Sequence, residues 1–220
     1  MKNLQVLPSN WINALHCLDE KHGRLPMNRL IATIRSLIHM TAEEEVLTQG
    51  LFKPLVLKSG AYFLEEGQLC RYVGFVESGL LRYHMNDNGT EKTLFFSSEG
   101  EFVSNYQSFL PKDSSNTSIQ AIEDCLLQVI SYDDLQKLYA GVSQGEKLGR
   151  LAIEQVFLSS MQQLKSFYKD SPAERYQQFL RSYPNLSQRI PQYHIASYVG
   201  IKPQSLSRIR KRLVTEKKGQ

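Results

Sequence analysis

Three hydrophobic textures follow one another along the chain. From Asn28 the stretch RLIATIRSLIHMTAEEEVLTQ places Leu30, Ile34, Leu37 and Ile38 on one face at helical spacing. Thr41, with Glu44 three positions on, has the form of a capping box, so a second short helix is predicted to follow the first. After Pro54 the apolar positions come in short aromatic and β-branched pieces: LVLKSG, AYFLEEG, YVGFVESGLLRYHM, KTLFFSSEGEFVS and SIQAIEDCLLQVIS. Asn88-Gly89, between two of them, is a hairpin turn signal. Strands recurring every eight to twelve residues or so, with turn residues between, predict a sandwich or barrel.

From Tyr132 the texture is helical again. Glu146 to Lys169 contains no Pro and only Gly149 as a glycine. Ile153, Phe157, Ser160, Leu164 and Phe167 recur at alternating spacings of four and three, while Leu148, Leu151, Val156, Leu158 and Met161 add a second apolar side. A helix that is apolar on two sides needs two covers. The β-region supplies one, and a second copy of the helix in a dimer is the expected other. Burial within a single chain is the simpler alternative. Ser171-Pro172-Ala173-Glu174 then opens a further helix, with a cap, Pro at the first position and Glu at the third, running to about Tyr183.

The segment IPQYHIASYVGIKPQSLSRIRKRL (190–213) has a different design. With Gln192 as the first helical residue, Ile195, Val199, Ile201, Leu206 and Ile209 close a small core. Ala196 stands where two helices would cross, and Gly200 at the turn between them. This is the frame of a helix-turn-helix. The second helix is expected to begin near Lys202-Pro203 and to present Gln204, Ser205, Ser207, Arg208 and Lys211 outward. Gln pairs bidentately with adenine and Arg with guanine in the major groove, which assigns base reading to Gln204 and Arg208. Ser205 and the first backbone amides suit a phosphate. Lys202, Arg210, Lys211 and Arg212 suit the DNA backbone. A solvated surface charge is the ordinary alternative for each.

Charge supports this division. Residues 171–220 hold ten Lys/Arg against two Asp/Glu, whereas residues 1–170 hold sixteen against twenty. A basic end on an acidic body points to a polyanion. The expected organisation is an N-terminal extension (1–26), a β-domain with its helices (27–140), a long helix (141–170) and a DNA-binding domain (171–220). No apolar run reaches the ~18 residues of a membrane span, and Pro8, Ser9 and Asn10 interrupt the N-terminus, unlike a secretory signal. Cys17, Cys70 and Cys125 are odd in number and far apart, as expected of reduced thiols in a cytoplasmic protein.

From about residue 28 to 213 the chain resembles the cyclic AMP receptor protein (Crp/Fnr) family of bacterial transcription regulators. The order of elements carries the resemblance, together with EEGQ (65–68), VESGLLR (76–82), GEF (100–102), SIQAIEDCLLQVIS (118–131) and AERYQQFL (173–180). It implies an α+β fold: an N-terminal jelly roll of the cyclic-nucleotide-binding kind, a long dimerisation helix and a C-terminal helix-turn-helix domain. It further implies a homodimer, an effector pocket in the jelly roll, and two recognition helices reading a palindrome in double-stranded DNA with half-sites ~34 Å apart. The loop SYPNLSQRI (182–190) lies where some relatives touch RNA polymerase.

The pattern departs from the family at the effector. Members that bind cyclic nucleotides carry a Gly-Glu pair for the ribose, then an Arg-Ser pair for the phosphate. Gly100-Glu101 match the first pair, and the second falls at Ser115-Asn116. No Arg occurs between Tyr83 and Gly149, and Lys112 is the nearby cation. A phosphate in a half-buried pocket needs a charged partner, so cyclic AMP is not the expected effector and its identity stays open. Ser160 falls where relatives touch the base. No cofactor or metal is expected. Three scattered cysteines cannot hold an iron–sulfur cluster, His84 is the one haem-ligand candidate in the β-region, and His16 and His22 around Cys17 lack a fourth ligand. A jelly-roll metalloenzyme would need several His on facing strands. A dimer of the same fold that has lost DNA binding is the rival reading. The sequence also ends soon after the basic run, in LVTEKKGQ, which leaves no expected β-hairpin wing.

Overall fold

The structure is a computed structural model and describes residues 28–218. The proposed extension 1–26, with His16, Cys17 and His22, lies outside the described residues. Helices α1 (Asn28–Leu37) and α2 (Ala42–Leu51) open the described chain. The capping box forms: Glu44 N donates to Thr41 Oγ1 at 3.3 Å, and Thr41 N to Glu44 Oε2 at 2.8 Å. The other oxygen of Glu44 accepts the amide of Ser143 at 2.6 Å, so one side chain both caps α2 and ties it to a distant turn.

Eight strands follow: β1 (Lys53–Leu57), β2 (Tyr62–Leu64), β3 (Tyr72–Ser78), β4 (Leu81–Asp87), β5 (Thr90–Ser97), β6 (Phe102–Val103), β7 (Ser118–Ala121) and β8 (Cys125–Ser131). They form two antiparallel four-stranded sheets, ordered β1-β8-β3-β6 and β2-β7-β4-β5. The β4–β5 hairpin turns at Asn88-Gly89, both with positive φ, as a two-residue turn matched to strand twist requires. Its register shifts between Tyr83, opposite Phe95, and His84, opposite Thr93. Leu94 is thus left out of the pairing, and its carbonyl instead accepts Gln163 Nε2 at 2.7 Å.

Apolar residues of the two sheets, Phe75, Val76, Leu81, Ile119, Leu127 and Ile130 among them, form one core, closed at one end by Leu30 and Ile34 of α1. This is the predicted jelly-roll-like α+β architecture. A short helix α3 (Tyr106–Phe109) interrupts the strands, and α4 (Tyr132–Gly141) leads into the long helix α5 (Gly145–Lys169). Beyond it lie α6 (Pro172–Ser182), α7 (Gln192–Val199) and α8 (Pro203–Lys218). Leu80 and Phe96 belong to the β-region in sequence but are buried in a second core with Tyr176, Phe179, Ile195, Val199 and Leu206. That second core joins the C-terminal helices to the sheets.

Gly79 makes the corner between β3 and β4. Its φ is +105°, and an added Cβ would sit 2.5 Å from Cys125 Sγ and 2.7 Å from the Asp124 carbonyl. Backbone strain and overpacking therefore act together in Gly79→Ala, which is expected to lower stability by about 2 kcal/mol or more in chemical denaturation. An unchanged midpoint would refute the packing described for this corner.

Candidate nucleic-acid interface and effector region

Helix α7 ends on Gly200, which is left-handed at φ 75°, ψ 37°. Its amide donates to the Ser197 carbonyl at 3.0 Å, and the amide of Ile201 to that of Ala196 at 2.9 Å, so the last carbonyls of α7 are satisfied as the chain reverses. Ala196 is fully buried. From below, Phe167 of α5 meets the turn, and a Cβ on Gly200 would lie 3.2 Å from its ring. Arg175 of α6 donates to the Val199 carbonyl at 2.8 Å and to that of Asp170 at 2.7 Å. The turn between α7 and α8 is thus fixed by its own capping and by two neighbouring helices.

Helix α8 starts at Pro203 and has two unlike sides. Leu206 is buried, and Ile209 and Leu213 are half-buried against the second core. Gln204, Ser205, Ser207, Arg208 and Lys211 are exposed, as are Lys202 and Arg212, while Arg210 is half-buried. The side chains singled out from the sequence therefore share an accessible stretch of one helix, with Arg210 turned partly inward.

The opposite side of α7 is docked on β5. Ser197 Oγ accepts the amide of Thr93 at 2.9 Å and donates to the Glu91 carbonyl at 3.2 Å. Arg82 of β4, among the largest fully buried side chains, lies between the two units. Its Nη1 stands 2.8 Å from Nε2 of His194 on α7, and its Nη2 pairs with the Glu91 carboxylate. Burial, then the charge of Arg82, push the His194 imidazole down to about 4, so it is neutral near pH 7. His84 is also buried beside them, with both ring nitrogens unbonded in the structure and Nδ1 3.9 Å from Glu91. Burial and Arg82 lower its pKa too.

A second polar clamp lies at Arg189, in the segment before α7. It donates to both carboxylate oxygens of Glu99, at 2.7 and 3.0 Å, and pairs with Glu123. Burial alone would push the Glu99 carboxyl up, but Arg189 and the amides of Glu99 and Gly79 hold it at about 2. Between the clamps, Phe96 packs against Phe179, Tyr183 and Tyr198, with ring centroids 5.6–6.2 Å apart. None of these long-range partners was identified from the sequence. Their one local signal is the basic or aromatic residue itself, which composition cannot distinguish from a surface group.

The residues expected at an effector pocket have the following surroundings. Ser115 is buried and accepts from Asn105 Nδ2 at 2.7 Å, while its own hydroxyl donates to the Thr117 carbonyl at 2.7 Å. Asn116 stands beside it, its side-chain oxygen accepting from Thr117 Oγ1 at 3.1 Å. Lys112, the expected nearby cation, lies over the Tyr132 ring at 4.5 Å. Gly100, with positive φ, turns Glu101 toward α5 instead, where Glu101 lines a cavity with Ser159. Ser160, one residue on, is not among the residues lining that cavity. Of the expected effector residues, Glu101 lines this cavity, and Ser115 and Asn116 stand together on the loop before β7. A neutral, internally bonded Asn105–Ser115 pair does not suit a bare cyclic phosphate, which requires charged or multiple free donors.

Residues 54–141 match the family model described as "Cyclic nucleotide-binding domain". That region, the β-domain, is similar to cyclic nucleotide-binding domains. Among solved structures, FixK2 from Bradyrhizobium japonicum is similar at TM-score 0.67 and 16% identity, over 75% of this chain and 85% of that one. The c-di-GMP responsive global regulator CLP of Xanthomonas campestris is similar at 0.62 and 18%, over 80% and 93%. A protein from Eubacterium rectale assigned to the Crp/Fnr family of transcriptional regulators is similar at 0.63 and 17%, over 80% and 85%. A search of curated proteins gave no match. The fold is thus similar to that of these regulators, with the β-domain followed by the long helix and the C-terminal helices. No helix among the described residues is long and apolar enough to cross a membrane.

The docking of α7 should depend on pH. His194 sits at about 4 when docked and at its ordinary 6.5 when released, so the released state takes up the proton first. Docking is at full strength above pH ~6.5 and weakens as pH falls toward ~4, because a second cation then faces Arg82 and His84, with Glu91 the carboxylate beside it among the described residues. Small-angle scattering should show the particle expanding between pH 7.5 and 4.5 while circular dichroism stays native. An unchanged radius would contradict the assigned role of His194.

Proposed function

We propose that the chain is a sequence-reading transcription regulator of the Crp/Fnr type, acting on double-stranded DNA as a homodimer. The observation that supports this reading best is the two-sided α8. Leu206 locks one side into the second core, while the other leaves Gln204, Ser205, Ser207 and Arg208 in solvent on the first two turns of a helix begun by Pro203. In this reading α7 and α8 form a helix-turn-helix with α8 as the recognition helix, residues 171–220 are the DNA-binding unit, and Gln204 and Arg208 read base edges. Lys202, Ser205, Ser207, Arg210, Lys211 and Arg212 engage or approach the phosphates.

The long helix supports the dimer. Ile153, Phe157 and Leu164 lie 41–62% exposed at spacings of four and seven, with half-buried Ser160 between them. A stripe of this kind suits a second α5. Two recognition helices would then face half-sites about one helical turn apart. The loop 182–190 turns Arg189 inward but leaves Pro184, Asn185 and Gln188 outward, where a contact with RNA polymerase would sit. Cyclic AMP is not assigned as the effector, since the Asn105–Ser115 pair offers its phosphate no cation.

Selection of bound sequences from a random DNA pool by the purified protein should yield a palindromic motif. A pool without enrichment, with and without effector candidates, would favour a dimer that has lost DNA binding. On the selected site Arg208→Ala should cost about 1–3 kcal/mol and relax one base position. Lys211→Ala should weaken all sequences alike and flatten the salt dependence. Phe157→Asp places a charge in the stripe and should convert the dimer to monomer in sedimentation. A dimer of unchanged affinity would move the dimer interface elsewhere.

A further inference from the structure

A cavity of about 290 Å³ lies where β5, the turn after it, α5, α6 and α7 meet. It sits at the junction between the β-domain and the C-terminal helices, and Ser115 is not among its lining residues. Much of its polar lining is already engaged. Gln163 donates to the Leu94 carbonyl, Ser166 Oγ donates to Asp170 and is 3.1 Å from Gln178, and Arg175 donates to two carbonyls. Glu101 is different. Its Oε2 accepts the amide of Ser98 at 2.9 Å, and among the described residues no hydrogen bond or ion pair reaches Oε1. The residue is exposed, and among the described residues it is the one carboxylate lining the cavity. Although its carboxylate meets solvent at the opening, crowding by the surrounding protein and the charge of Glu99 outweigh the Ser98 amide and hold its pKa above the usual carboxylate range. The walls around it are aromatic, from Phe95 on β5 to Tyr198 on α7.

We propose that this hinge cavity binds a small flat ring bearing two adjacent N–H donors, an aromatic amidinium or a guanine-type heterocycle, held edge-on by Glu101 and face-on by the aromatic walls. A carboxylate accepts a parallel pair of N–H groups in one plane, and aromatic faces favour a flat, electron-poor or cationic partner. Exposed Gln162 and Ser159 offer further polar contacts at the opening. The cavity volume suits a ring with one small substituent, and junctions between domains are a preferred place for such sites. A ligand there touches β5, α5 and α7 together, so its binding would be coupled to how α8 is held. Only that consequence rests on the regulator reading. The binding itself does not.

Calorimetry of the full-length protein with benzamidine and with guanosine tests the proposal, with adenosine as comparison because its ring edge places an acceptor next to its amine. Saturable binding of benzamidine or guanosine is expected, at least tenfold tighter than adenosine. Glu101→Gln, with thermal unfolding confirming its fold, should weaken that binding at least tenfold. Binding of benzamidine alone would identify the charged class, and binding of guanosine the neutral one. No binding of either probe, or equal binding by Glu101→Gln, would overturn the proposal. No DNA enters the assay, so this failure is separate from a failure of the DNA selection.

Discussion

Everything that α8 can do depends on how α7 is seated on β5. The seat is a buried guanidinium, Arg82, between a neutral imidazole and a carboxylate, next to an aromatic cluster around Phe96. A buried cation is costly without partners and well held with them, so the arrangement tolerates few alternatives. It carries a directional demand that apolar contact lacks: the imidazole of His194 and the carboxylate of Glu91 must both lie within reach of one planar fork. The second clamp, Arg189 with Glu99 and Glu123, fixes the approach to α7 from the other side. Two ionic anchors and one aromatic patch define an orientation for the C-terminal helices, not just an adhesion.

The same arrangement explains why the exterior of α8 is free. The small core beneath it takes Leu206, Ile209 and Leu213 from one side, and Gly200 in the left-handed region sets the angle at which the helix leaves. The turn is in turn supported by Phe167 and Arg175, from helices that also line the hinge cavity. Sheet, long helix, cavity and α8 are thus in continuous contact. A change at β5 or in the cavity has a physical route to α8 through Tyr198 and Ser197, without passing through solvent.

Features governed by local rules were legible in the sequence. The Thr41–Glu44 and Ser171–Glu174 boxes, the Asn88-Gly89 hairpin and the glycine turn at Gly200 each depend on residues within a few positions of one another. The jelly-roll-like sheets followed from strand spacing and from family resemblance. The interface was not legible, because Arg82 and His194 are 112 positions apart and Arg189 and Glu99 are 90 apart. Nothing in VESGLLR says that its arginine is buried, and nothing in SYPNLSQRI says that Arg189 turns inward. The surroundings of Glu101 were not legible for a related reason. The Gly-Glu pair is a local motif, but the direction of the carboxylate is set by the turn at Gly100 and by the helix it meets. Ser115 is buried and bonded to Asn105, a partner that carries no mark in the sequence.

The central claim is that docking on β5 holds two recognition helices at a spacing that fits successive major grooves. Pulsed electron-spin distance measurement tests this directly, with one spin label on a cysteine introduced at exposed Ser207 and the three natural cysteines replaced. The account predicts a single narrow distance distribution near ~34 Å in the dimer, retained in the presence of DNA. A broad distribution, or no dipolar signal at all, would contradict it, the first by showing that the docking does not orient α8 and the second by showing that the chain does not pair.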